Sequence, residues 1–221
     1  PIQKDATGGW IYVSETDLAT YGTATSHAFQ TIFKAAGQSS SEYFDKLDSN
    51  RRKLSSQAVP TEGWLVFRGA GGGFVCSAYV SAKSYAAGKL VIDQTLYWAA
   101  IPTEDEAIYL TGLFNSEAIN TVIKPFQPRG SFGERHVHKL ADRVTPPYDA
   151  ENAIHADVVS KTKALLSQWH MVERADPKIR KLWDPNADRL GGRRRKLRKM
   201  LKGLSTYSAY ERVCRKLYGL K

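Results

Sequence analysis

The chain has 221 residues, 42% hydrophobic, 24% charged and 11% aromatic. Five Trp, eight Phe and eleven Tyr supply enough apolar area to offset chain entropy, which excludes a wholly disordered chain. The net charge is +10, and it is concentrated: residues 173–221 hold 16 Lys/Arg against five acids (net +11), whereas residues 1–172 hold 16 against 17 (net −1).

No run approaches the ~18 consecutive apolar residues of a membrane span, so a membrane partner is not expected. Only two cysteines occur, Cys76 and Cys214. They form neither a disulfide framework nor a zinc pattern, which points to a reducing compartment and a cytoplasmic location. The chain starts at Pro1, which suggests a piece of a longer protein. A basic excess confined to one end suggests a polyanionic partner, nucleic acid first of all, because Lys and Arg displace the counterions condensed on phosphates.

In chain order, Tyr21 to Lys34 reads as a short helix or as partly loop. Ser39-Ser-Ser-Glu42 is a capping signature for a second helix reaching Leu54. Trp64–Phe67 is a β-prone run, broken by Gly69-Ala-Gly-Gly-Gly73. Those glycines read as a turn between strands and not as a phosphate cradle, since a strand and no helix follows. Phe74–Val80, Lys89–Asp93 and Thr95–Ile101 are the next strands. Cys76 lies in the first of these, where a buried, unreactive thiol is expected.

Thr103-Glu-Asp-Glu106 is a capping box opening a helix from Glu104 to Phe114, with Ala107, Leu110, Thr111 and Phe114 on one face. Asn115-Ser116 interrupts, a second helical stretch runs from Glu117 to Ile123, and Pro125 stops it. Residues 125–150, rich in Pro, Gly, Arg and His, read as a loop suited to function. Beyond Ala150 the pattern is helical: Ala153–Arg174, Pro177–Leu182, and Arg193–Leu220, the last two separated by Gly191 and Gly192. Strands followed by helices imply an α+β fold: a small mixed or antiparallel sheet with packed helices. The chain divides into an α+β body, 1–150, and a helical basic C-terminal segment, 151–221.

Three patterns carry candidate chemistry. Arg193-Arg-Arg-Lys-Leu-Arg-Lys-Met-Leu-Lys202 places Leu197, Met200, Leu201 and Leu204 at helical spacing and cations on the other face. That describes a docked helix with a phosphate-contacting surface, able to hold DNA but not to read its sequence. His136-Val-His138, with Glu134 near, has the spacing of two metal ligands. Thr145-Pro-Pro-Tyr148 resembles the catalytic loop of amino-group DNA methyltransferases, in which the first side chain and a proline carbonyl bond the target amine. Thr stands in place of the amide or acid, and neither an apolar strand nor a glycine-rich cofactor loop precedes it. The segment therefore receives no catalytic assignment.

The order Trp64-Leu-Val-Phe-Arg68-Gly, then Ile92-Asp93-Gln94-Thr-Leu-Tyr97, then Ala107-Ile-Tyr-Leu-Thr-Gly-Leu-Phe-Asn115-Ser116 resembles the C-terminal target-recognition domain of type II and IIG N6-adenine DNA methyltransferases. The Arg129–Lys139 loop and the closing Glu211-Arg-Val-Cys-Arg-Lys-Leu-Tyr-Gly-Leu220 extend the likeness over about residues 40–220. The resemblance implies a non-catalytic DNA-binding part of an adenine-specific methyltransferase or fused restriction–modification enzyme. Double-stranded DNA would be its partner. A methyltransferase domain in cis would hold S-adenosylmethionine, with no cofactor in this chain. Arg129, Arg135, His136, His138 and Lys139 would face a groove. Arg193, Arg194, Arg195, Lys196, Arg198 and Lys199 would meet phosphates, while Arg68 and Asp93-Gln94 would hold the strands. Two other readings stay open: a metal-dependent hydrolase using His136 and His138, and a basic module that docks an acidic protein.

Overall fold

The computed structural model describes residues 2–4, 6, 10–12, 23–37, 59–69, 73–84, 90, 92–93, 95–127, 129–130, 133–134, 140–182 and 190–221. The chain forms two compact units, one of residues 1–61 and 82–94 and one of residues 62–81 and 95–221. The first contains β1 (Ile2–Lys4) paired antiparallel with β2 (Trp10–Tyr12), and α1 (Thr23–Ala36). The expected helix from Ser39 to Leu54 lies outside the described residues. The strand expected at Lys89–Asp93 is not found among the described residues of that stretch. Leu90, Ile92 and Asp93 have no strand structure, although Ile92 is buried. An apolar run marks burial, and burial does not require strand geometry.

The second unit is α+β. Its sheet has three strands in the order β4–β3–β5, all antiparallel: β3 (Trp64–Gly69), β4 (Ser77–Ser81) and β5 (Leu96–Ile101). The register sets Val66 opposite both Tyr79 and Ala99. Gly63 enters β3 with φ +76°, a conformation L side chains disfavour, and a Cβ there would meet the Ile101 carbonyl oxygen at 2.8 Å. Strand β4 begins later than the expected Phe74, because the Val75 N–H bonds the Asn120 carboxamide at 3.0 Å rather than a strand.

Helix α2 (Glu104–Asn115) packs on the sheet and opens as expected: the Glu106 N–H donates to Thr103 Oγ1 at 3.3 Å. Its apolar surface is wider than one stripe. Ile108, Tyr109, Gly112 and Leu113 are buried as well as Ala107, Thr111 and Phe114. The helix is the middle layer. Ala107 and Phe114 join the cluster of Val66 and Ile101, and Ile108, Tyr109 and Leu113 join that of Val158, Leu165 and Tyr210. A helix covered on both sides needs no polar face.

The remaining elements are α3 (Glu117–Ile123), a short β6 (Arg129–Gly130) and β7 (Gly133–Glu134) pair, α4 (Leu140–Val144), α5 (Ala153–Ala175), α6 (Pro177–Lys181), α7 (Leu190–Lys202) and α8 (Tyr207–Leu217). The 125–150 stretch therefore holds short elements and is not loop throughout. The single helix expected over Arg193–Leu220 is two. Gly203 weakens the helical path, and Gln168 of α5 fixes the corner. Its Oε1 accepts the Thr206 N–H and hydroxyl at 3.0 and 2.7 Å, and its Nε2 donates to Ser205 Oγ at 2.9 Å. Gly191 and Gly192 do not separate helices; they sit in the first turn of α7. Helices of the 151–221 segment belong to the same compact unit as the sheet and pack on the other side of α2.

Candidate nucleic-acid interface

Helix α7 carries seven cations in thirteen residues and presents them unequally. Leu201 packs against the core cluster of α5 and α8, and Leu204 beyond the helix does the same. This fixes the rotation of the helix. Arg195, Lys196 and Lys199 are exposed, and Arg193, Arg194 and Arg198 are half-buried. Arg193 donates to the Leu182 carbonyl oxygen at 3.4 Å. Arg198 is turned inward: its Nε bonds Glu117 at 2.8 Å and its guanidinium lies over the Phe74 ring, 4.6 Å from the centroid.

Glu117 is the anchor of this helix and carries no signal in the sequence as such. The Lys202 Nζ also reaches it, at 2.6 Å. Burial alone would raise its carboxyl, but the hydrogen bonds and charges of Arg198 and Lys202 outweigh burial and hold it below its ordinary value. Glu117 also opens α3, where a negative charge suits the helix dipole. Its own N–H donates to Glu211 Oε2 at 2.9 Å. The Glu211 carboxyl is held above its ordinary value, by burial first, although the Glu117 and Ala118 backbone N–H groups act against this.

Arg129 stands in β6 with its backbone opposite Glu134. Arg135, His136, His138 and Lys139 lie outside the described residues. The structure therefore brings Arg198 and Lys202 together at Glu117, with Arg198 over Phe74. Among the described residues no group of three His, Cys, Asp or Glu side chains is placed to hold a metal ion, and His136 and His138 are not among them.

The Thr145-Pro-Pro-Tyr148 segment is tied into the core. Tyr109 donates its hydroxyl to the Pro146 carbonyl oxygen at 3.1 Å, and Thr145 Oγ1 donates to the Ala141 carbonyl oxygen at 2.7 Å. Tyr148 packs beside Tyr109 and His155, and His155 Nδ1 accepts the Asp149 N–H at 3.0 Å. A carbonyl that a catalytic loop would offer to an amine is thus engaged by Tyr109.

Arg68 is buried, pairs with Asp142 at 2.5 Å, and lies over Tyr97 and Phe114 with centroids at 4.8 and 5.7 Å. It joins β3, β5, α2 and α4. Asp93 is exposed, and Gln94 is outside the described residues. Cys76 precedes β4 and is half-buried, unlike the buried Cys214. Among the described residues no helix is long and apolar enough to cross a membrane. No family model matches the chain, and neither a curated protein nor a solved structure matches it.

Proposed function

We propose that this chain is the DNA-binding, target-recognition part of an adenine-specific DNA methyltransferase or fused restriction–modification enzyme. A methyltransferase domain in cis would carry S-adenosylmethionine and the chemistry. The observation that carries the reading is the one-sided presentation of α7. Leu201 packs on the core of α5 and α8, Arg198 and Lys202 are held by Glu117, and Arg195, Lys196 and Lys199 are exposed. A helix with exposed cations along one side suits a phosphate backbone, where each neutralised phosphate releases counterions. The order of the strand, helix and loop motifs supports the same assignment. Base reading falls to the loop residues Arg129, Arg135, His136, His138 and Lys139, because arginine forks and neighbouring donors match guanine acceptors in the major groove.

The test is fluorescence anisotropy of the chain with a short duplex at two salt concentrations. Neutralising Arg195, Lys196 and Lys199 together to Gln weakens binding to every duplex alike. It also flattens the log–log salt slope by about 0.9 for each phosphate that is no longer neutralised. Arg135→Ala instead narrows the difference between cognate and scrambled duplex. Absence of duplex binding at low salt overturns the proposal, and salt-sensitive binding to an acidic protein without DNA binding would replace it.

A further inference from the structure

Beneath α7, between it and α2, α5 and α8, lies a cavity of about 290 Å³. Its wall is chiefly apolar and includes Leu165, Leu166, Trp169, Leu197 and Tyr207. The cavity is at the lower edge of the size range of small-molecule pockets, about 300–1,000 Å³.

Residues of the same wall carry buried polar atoms without partners. Five buried side-chain nitrogen or oxygen atoms among the described residues have no hydrogen-bond partner. Three of them, Thr111 Oγ1, Thr162 Oγ1 and Arg198 Nη2, belong to residues of this wall. A buried guanidinium nitrogen left without an acceptor is costly, and an anion is its best partner. The local charge points the same way. Arg198 and Lys202 share one carboxylate, Glu117, and Arg194 lines the cavity as well. Glu211, the other carboxyl nearby, accepts the Glu117 N–H through Oε2, and its Oε1 is another of the five unpartnered atoms.

We infer that this cavity binds a small planar organic acid. Its one- or two-ring body lies against Leu165, Trp169, Leu197 and Tyr207, and its carboxylate reaches Arg194 and Arg198. Charge at one end and an apolar wall elsewhere select against neutral isosteres and against polyanions, which would bury further charge without partners. The assignment is independent of DNA binding.

Calorimetric titration of the 221-residue chain with 2-naphthoate and with its neutral carboxamide tests it. The acid is expected to bind saturably at one site, and the carboxamide about tenfold or more weaker, the equivalent of one charge-assisted hydrogen bond. Arg194→Gln lowers the affinity for the acid about tenfold and leaves the carboxamide unchanged, by the same arithmetic. Leu166→Trp fills the cavity and abolishes binding of both. Leu197→Trp does so from the opposite wall should the first variant fail to melt cooperatively. Absence of saturable binding by the acid overturns the site. Equal binding of acid and carboxamide overturns the anion end, and unchanged binding in the folded filled variants places the ligand elsewhere.

Discussion

The carboxamide of Asn115 holds both backbone groups of Ser77: Oδ1 accepts the Ser77 N–H at 3.0 Å, and Nδ2 donates to the Ser77 carbonyl oxygen at 2.8 Å. Among the described residues, strand β4 is at the edge of the sheet, with β3 on one side only. A side chain at the end of α2 thus supplies at this residue what a further strand would supply. With Asn120 on the Val75 N–H, it fastens the central helix to the sheet margin. This is the physical content of the Leu-Phe-Asn-Ser sequence: Asn115 holds the strand, and Ser116 Oγ caps α3 by accepting the Ile119 N–H at 3.2 Å.

Asn115→Ala leaves two part-buried backbone groups without these partners, so a loss of about 2–4 kcal/mol of unfolding free energy is expected. Asn115→Asp keeps an acceptor for the Ser77 N–H but sets a carboxylate oxygen against the Ser77 carbonyl, so at neutral pH it does not restore the wild-type value. Urea unfolding of the three proteins measures the series; an Ala variant as stable as wild type would show that the clamp contributes nothing.

Gly112 of α2 lies against Thr162 of α5, where a Cβ would stand 2.3 Å from Thr162 Oγ1. Ala is the better helix former by about 1 kcal/mol, yet Gly112→Ala is expected to destabilise by about 1–3 kcal/mol, because the two helices must separate. Thr162→Ala removes the closest atom. The double variant should therefore recover about 1 kcal/mol or more relative to additivity. Thermal melts of the four proteins complete the cycle, and strict additivity would contradict the close approach.

Arg68 and Asp142 are unequal partners, since their side chains are 8% and 55% exposed. Arg68→Ala opens space beside Tyr97 and Phe114 and should cost about 2–4 kcal/mol, as for other large-to-small changes at buried sites. Asp142→Asn should cost about 1 kcal/mol or less, because water already screens the exposed carboxylate. Chemical denaturation ranks them; equal losses would mean that the ion pair, and not the stacked guanidinium, holds this corner.

Glu117 and Glu211 give opposite pH slopes. Glu117 is lowered in the folded chain, so its contribution is present above its unfolded pKa and is lost as pH falls through the lower folded value. Glu211 is raised, so its contribution is full below its unfolded pKa and is lost as pH rises through the higher folded value. Glu117→Gln should therefore destabilise at neutral pH, with the deficit fading in acid. Glu211→Gln keeps an acceptor for the Glu117 N–H and should be neutral or stabilising at neutral pH, with that advantage fading in acid. Stability measured from pH 3 to pH 8 distinguishes them, and parallel curves would refute the assignment.

Local signals stand out where structure depends on residues a few positions apart. The Thr103 capping box starts α2, and Ser116 separates it from α3 at the expected residue. Asn152 caps α5 through the Ile154 and His155 N–H groups, and an Asn just before an apolar-periodic run is itself a sequence signal for such a cap. Arg68, expected to hold the strands, occupies a buried corner. The loop proposed to read bases is different: its charged residues are evident from composition, whereas its geometry lies outside the described residues apart from β6 and β7.

The sequence by itself determined the α+β class, the strand at Trp64, the two helices over 104–123 and the basic C-terminal excess, because caps, periodicity and charge act over one or two turns. Only the tertiary structure decided which cations of α7 face outward. Glu117, 81 positions before Arg198, draws that side chain inward. Gln168, 38 positions before Thr206, fixes the corner after α7. The lack of strand structure at Leu90, Ile92 and Asp93 and the two-sided burial of α2 have the same origin. Pairing and coverage come from segments distant in the chain, and no pattern within a single segment records which segment will arrive.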